Sequence, residues 1–162
     1  MELNNKKVLD VTCGSRSIWF LKDNPIAVFC DNRTEEFHRL WKNSKSVVKI
    51  KPDVVCDFTN LPFSDSSFNV VIFDPPHLLE AGEKSWLVKK YGKLNDNWPK
   101  MISDGFKECM RVLKTDGVLI FKWSEYDIPA SKVWKAIGEL PLFGHKSGKQ
   151  SKTFWACFMK LR

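Results

Sequence analysis

Asp74-Pro75-Pro76-His77 joins a carboxylate, two rigid residues and an imidazole in four consecutive positions. Each proline fixes its own φ and lacks an N–H, so the carbonyls of Asp74 and Pro75 lie beside no backbone donor of their own. The result is a stiff corner rich in hydrogen-bond acceptors. It suits a substrate that donates hydrogen bonds, such as a planar amino group, with His77 as a flat face against a ring. Three further carboxylates accompany apolar runs: Asp10 in Val8-Leu9-Asp10-Val11, Asp31 after Ile26–Cys30, and Asp57 after Val54-Val55-Cys56. Asp31 follows Asp10 by 21 positions, near the spacing at which the acidic residue of a dinucleotide fold meets ribose hydroxyls.

The elements that must position these groups are legible as short buried strands. Asn69 to Phe73, β-branched and aromatic, reads as a strand buried on both faces, as in a parallel sheet, with Asp74 at its carboxyl end. Ligands of open α/β sheets bind outside such ends. Val8–Val11 and Ile26–Cys30 read as strands too, and Val54–Asp57 is the better strand candidate within 47–58. Thr12-Cys13-Gly14-Ser15-Arg16 forms the first turn, with Ser15 capping a helix expected through about Lys22. A second helix is expected over Thr34–Trp41, with Thr34 as cap and Glu35 and Glu36 in its first turn.

Residues 78–99 mix charge, rings and glycine with no sustained period, and a loop of this length is usually functional or disordered. Lys84, Lys89, Lys90 and Lys93 interleaved with Trp86, Tyr91 and Trp98 suit backbone-plus-stacking contact with a nucleic-acid strand; the alternative is a partly helical surface segment whose tryptophans enter the core. Met101–Leu113 carries a helical apolar stripe, Val118–Phe121 is another buried strand, and Pro129 starts a helix to about Ile137. Leu142-Phe143 and Thr153–Met159 read as an antiparallel pair joined by the basic loop 145–152.

The chain has 162 residues, enough for one domain, expected to span 1–162, with 43% hydrophobic and 28% charged content typical of a folded protein in water. Its net charge of +7 points to a polyanionic partner. Five scattered cysteines without CxxC or Cys/His spacing indicate neither a disulfide framework nor a metal site, and buried reduced thiols are expected. The amino terminus lacks a signal peptide's apolar stretch, and no apolar run approaches the roughly 18 residues of a membrane span, so the expected location is the cytoplasm.

Together these residues resemble the class I methyltransferases dependent on S-adenosylmethionine, over essentially the whole chain. The alternating units ending in an antiparallel pair resemble that family's Rossmann-like α/β sheet of about seven strands, mostly parallel, with helices on both faces. Asp74-Pro75-Pro76-His77 looks like the Asp/Asn-Pro-Pro-aromatic signature of enzymes that methylate exocyclic amino groups of bases. Asp10-Val11-Thr12-Cys13-Gly14-Ser15-Arg16 is similar to the family's glycine-rich cofactor loop, with Thr12 and Arg16 where glycine is usual. The chain also resembles small phage- or prophage-encoded methyltransferases, with no one subfamily singled out.

The resemblance implies S-adenosylmethionine as cofactor. Asp10, Thr12, Cys13 and Gly14 would lie beside its methionine part, Asp31 on its ribose, and Asp57 and Phe58 on its adenine. Asp74, Pro75, Pro76 and His77 would form the catalytic corner. The implied reaction is methylation of an adenine amino group in DNA, with RNA as the competing substrate. A catalytically weak nucleic-acid-binding or regulatory protein on the same fold is the rival from another class. Nucleic acid is the expected partner, no membrane is, and the oligomeric state, a homodimer included, stays open.

Overall fold

The computed structural model describes residues 5–41, 44–82, 85–146, 148 and 151–161. Glu83 and Lys84 of the 78–99 segment, and Ser147, Lys149 and Gln150 of the basic loop, lie outside the described residues.

Strand β1 (Val8–Asp10) pairs in parallel with β2 (Ala27–Asp31) on one side and β6 (Phe68–Phe73) on the other. The short β5 (Val54–Val55) extends the sheet beyond β2. On the other flank β7 (Leu113–Ser124) pairs with β6 in parallel and with β9 (Thr153–Met159) antiparallel, and β8 (Phe143–Lys146) closes the edge antiparallel to β9. The seven-stranded order is β5-β2-β1-β6-β7-β9-β8. The chain therefore builds outward from β1 through β2 to β5, then returns to β6 on the opposite side of β1. That reversal puts a switch-point crevice at the carboxyl ends of β1 and β6, where Asp10 ends one strand and Asp74 follows the other.

Helix α2 (Trp98–Val112) begins with Pro99 in its first turn, where the missing N–H costs nothing, and buries Ile102, Phe106, Cys109 and Val112 at helical spacing. Helix α3 (Ala130–Ile137) ends at Gly138, whose φ of 76° is the left-handed conformation that closes a helix. Both pack on the sheet face that carries Phe73, Phe121 and Phe158: Phe106 meets Phe158 at 5.0 Å between centroids, and Trp134 meets Phe121 at 5.3 Å and Phe158 at 5.8 Å. Along β7 the alternate residues Leu119, Phe121 and Trp123 are buried on this face, whereas Val118, Ile120 and Lys122 on the other face are only half-buried.

Two expected helices are absent. Residues 15–22 form successive turns: Arg16 adopts φ 55°, its N–H bonds to Cys13 O, and Trp19 N–H bonds to Arg16 O. The Trp19 indole N–H donates to Asp10 Oδ2 at 2.7 Å, which draws the segment onto the sheet and takes precedence over the cap signal of Ser15. The cover that α2 and α3 supply is thus one-sided, and the opposite face meets turns where a helix was expected.

The second absent helix, 34–41, is strand β3 (Glu35–Trp41), paired antiparallel with β4 (Ser44–Ile50) in a separate hairpin. Alternation explains it: Phe37 pairs with Val48 on the half-buried face next to buried Ile50, while Glu36 pairs with Lys49 on the exposed face and bridges to it at 3.1 Å. Within 78–99 a short helix, α1 (Trp86–Tyr91), is capped by the Ser85 hydroxyl, which accepts from Val88 N–H. All five cysteines are free, and no helix among the described residues is long and apolar enough to cross a membrane.

Candidate active site

The carboxyl ends of β1, β2 and β6 open onto a cleft of about 230 Å³. Thr12, Cys13 and Gly14 line it from the β1 turn, Asp31 and Arg33 from the end of β2, Phe58 from below, Asp74 and Pro76 from the end of β6, and Lys90–Lys93 from the 78–94 segment. Of the eleven residues expected in a site, seven thus share one cleft: Thr12, Cys13, Gly14, Asp31, Phe58, Asp74 and Pro76.

The other four are placed differently. Asp10 is buried beneath the turn, 1% exposed, and Pro75 is buried beside the cleft. Asp57 is exposed and outside the lining; its Oδ1 accepts from Thr59 N–H and hydroxyl at 2.8 Å each, an Asx turn that aims the next residue, Phe58, inward. His77 also lies outside the lining, its ring between Tyr91 at 5.6 Å and Trp123 at 6.3 Å. Burial pushes the His77 imidazole below its ordinary pKa, against the opposing pull of Asp74.

The departures from a glycine-rich loop have local causes. Gly14 has φ 49° and needs its freedom, and its N–H donates to Asp31 Oδ2 at 2.9 Å. Thr12 uses its hydroxyl as a tie: Asp74 N–H donates to Thr12 Oγ1 at 2.9 Å, joining the β1 turn to the β6 corner. Arg16 holds a left-handed backbone with its guanidinium anchored through both Nη1 and Nη2. It donates to the carbonyls of Lys22 and Lys51 and to Asp23 and Asp53, and stacks over Phe29 at 3.8 Å.

Three carboxylates crowd this end of the sheet, and their neutralisation is uneven. Asp31 is paired with Arg33, whose Nε donates at 3.0 Å, and Asp74 with Lys122, whose Nζ lies 2.5 Å from Oδ2. No cation pairs with Asp10 among the described residues; it accepts from Trp19 Nε1 and Thr12 N–H instead. Burial, with the negative fields of Asp74 and Asp31 adding to it, raises the Asp10 pKa to about 7.

The sequence reading missed Arg33 and Lys122. Arg33 sits two residues past Asp31 and also donates to Lys89 O at 3.1 Å, linking β2 to α1. Lys122 interrupts an apolar strand in Leu119-Ile120-Phe121-Lys122-Trp123, and a lone cation there is a signal that a carboxylate faces it. Support for the cleft comes from α2 and from the segment before it. Glu108 accepts Leu61 N–H at 2.8 Å and Arg111 donates to the Leu61 and Phe63 carbonyls, which holds the loop carrying Phe58. The Asp127 carboxylate accepts from Leu79 and Glu80 N–H, and Leu94 N–H closes on Leu78 O, so the 78–94 segment leaves and rejoins the body at one point.

No family model matches the chain, and no curated protein matches it. Solved structures do. The PH0226 protein of Pyrococcus horikoshii superposes with a TM-score of 0.60 at 16% identity, over 95% of this chain and 81% of that one. An rRNA methylase of Streptococcus thermophilus gives 0.54 at 11% identity, over 98% and 89%. A TehB-like SAM-dependent methyltransferase of Corynebacterium glutamicum gives 0.52 at 12% identity, over 96% and 80%. The chain has the Rossmann-like fold of the S-adenosylmethionine-dependent methyltransferases.

Proposed function

We propose that the chain is a methyltransferase that moves the methyl group of S-adenosylmethionine to an exocyclic amino nitrogen of a nucleic-acid base, adenine in DNA first among them. One observation carries this reading: the cleft holds Gly14, Asp31 and Phe58 against Asp74 and Pro76 at the switch point of the sheet. The donor set fits the cofactor. Asp31 is an acceptor at the ribose position, Phe58 is an apolar ring for the adenine, and Asp10, the carboxylate of the three with no cation partner among the described residues, favours a ligand that brings positive charge when it is ionised. When bound, the cofactor supplies an electrophilic methyl on a sulfonium, which becomes a neutral thioether as its S–C bond breaks and the new N–C bond forms.

The chain's residues handle the nucleophile. An amino nitrogen conjugated with a base is poor because its lone pair is delocalised into the ring. Asp74 accepts an N–H of that amine and favours the pyramidal form, and Pro75 and Pro76 hold the acceptor in place. The surplus proton of the methylated nitrogen passes to the Asp74 carboxylate and then to water. A buried base must leave its duplex first, at a few kcal/mol, which single strands avoid.

RNA is the second reading. Some solved structures that share the fold are rRNA methylases, and the chain shares with them only the fold. Incubation with tritiated cofactor and DNA, RNA or protein tests both. Label on DNA supports the first, label on RNA the second, and label on protein alone refutes both. Asp74→Ala retaining full turnover would refute the mechanism.

A further inference from the structure

A second cleft, of about 420 Å³, lies outside the site described above, walled by Ile18, Trp19, Phe20, Leu21, Ile72 and Trp155. Its volume falls in the range of about 300–1,000 Å³ usual for small-ligand pockets. It exists because the segment after β1 forms turns and leaves the β6–β7–β9 face without a helix. Ile72, Ile120, Lys122 and Trp155 share that face by register: Ile72 pairs with Ile120, and Lys122 with Trp155. Phe20 is fully exposed and Leu21 more than half exposed, so the turn presents its apolar side chains to solvent beside the cleft.

We infer that this cleft is the seat of the base that receives the methyl group. The inference rests on the proposed function and names the place where that function's substrate binds. Asp74 lines the first cleft, and its Oδ2 is bonded to Lys122. Lys122 in turn lies 5.7 Å from the ring centroid of Trp155, a wall of the second. One ammonium therefore bonds the acceptor for the amine and lies within the cation–π range of about 6 Å from an aromatic platform for the ring. Its bond to Asp74 uses one of three N–H donors, and a ring nitrogen beside an exocyclic amine, as in adenine or cytosine, is an acceptor of matching polarity. Trp19 and Phe20 supply further aromatic surface, and base–aromatic stacking tolerates any base. The stacking platform is then Trp155 with Phe20, while His77 stays between Tyr91 and Trp123.

The test uses a pyrimidine single strand with one adenine and the same strand with an abasic site there, both fluorescein-labelled. Anisotropy gives the ratio of the two affinities without turnover, and tritiated methyl transfer gives KM and kcat. Wild type should prefer the adenine strand by about 5- to 150-fold, the size of one stacked base. Phe20→Ala removes a side chain that solvent surrounds, so the fold survives. It should lower that ratio at least five-fold and raise KM with kcat held within two-fold, as should Trp155→Ala, with cofactor affinity by calorimetry unchanged. If wild type methylates the strand and both variants keep its ratio and KM, the cleft assignment is overturned and the proposed function stands. If wild type labels no nucleic acid, the proposed function fails and the cleft assignment falls with it.

Discussion

Lys122 Nζ lies 2.5 Å from Asp74 Oδ2, with both side chains less than a fifth exposed. The contact follows from register. Phe73 pairs with Phe121 across the parallel β6–β7 ladder, so the next residue of each strand, Asp74 and Lys122, emerges on the same face. A cation thus fixes the carboxylate proposed to accept the substrate amine through one of its two oxygens.

Breaking this pair from one side should cost more than breaking it from both. An exposed pair contributes about 0–1 kcal/mol, whereas an unpaired charge left by one partner of a buried pair costs about 3–5 kcal/mol. At this partial burial Lys122→Met should cost about 1–3 kcal/mol, and adding Asp74→Asn should recover part of the loss. Urea denaturation of the wild type, both single variants and the double variant measures the coupling. Additive single effects would show that the pair is a surface contact of no energetic weight.

The sheet was legible because apolar runs bounded by Asp, Gly and Pro are local signals, and so were α2 and α3. The hairpin was not. Thr34-Glu35-Glu36 imitates a helix start, and the pairing of Phe37 with Val48 that decides the matter lies outside any local window. Residues 15–22 misled for a similar reason, since the Trp19–Asp10 hydrogen bond that replaces the helix spans the turn. In the site, single residues such as Asp31, Phe58 and Asp74 could be read from type and spacing. Lys122 signals a facing carboxylate, but that the carboxylate is Asp74 depends on the register of β6 against β7, which sequence order does not state; Arg33, two residues past Asp31, is a local partner that the reading of Asp31 alone passed over.

Asp10 should impose a pH dependence on both stability and cofactor binding. Its pKa is about 7 in the folded chain against 3.8 for the ordinary group. Between those values the folded state binds more protons than the unfolded state, so stability falls as pH rises from about 4 to about 7 and this contribution is level outside that window. Asp10→Asn should flatten that portion of a Tm-against-pH profile. Ionised Asp10 attracts a cationic ligand, so wild-type affinity for S-adenosylmethionine should rise as pH passes through 7, and the Asn variant should show no such rise. Calorimetric titrations at pH 6, 7 and 8 read this directly; parallel profiles for the two proteins would reject it.

Thr12→Val keeps the β-branched shape and removes the oxygen that Asp74 N–H uses. An orphaned donor in a half-buried site costs about 1–3 kcal/mol. The variant should lose about that much stability, and turnover should drop because the corner that carries Asp74 is no longer tied to the cofactor turn. Thr12→Ser retains the acceptor and should restore most of both. Full stability and turnover in Thr12→Val, with the loss confined to Thr12→Ser, would assign the role of residue 12 to packing of its methyl group.

Gly105 lies on the buried face of α2, and a Cβ there would meet Phe58 Cδ2 at 2.5 Å and Phe73 Cζ at 2.9 Å. The two rings themselves pack at 5.3 Å between centroids. Alanine is the better helix former by about 1 kcal/mol, so an exposed Gly→Ala change in a helix stabilises. Here overpacking of about 1–3 kcal/mol opposes it. Phe73 lies in the middle of the core, whereas Phe58 stands at the cleft wall, so Phe58 is the ring that yields. Gly105→Ala should therefore lower Tm modestly and weaken S-adenosylmethionine binding several-fold, although residue 105 does not line the cleft. Combining it with Phe58→Leu should give less than the sum of the two losses, because the ring that must move is gone. Unchanged cofactor affinity in Gly105→Ala would show that the wall at Phe58 is not part of the binding surface.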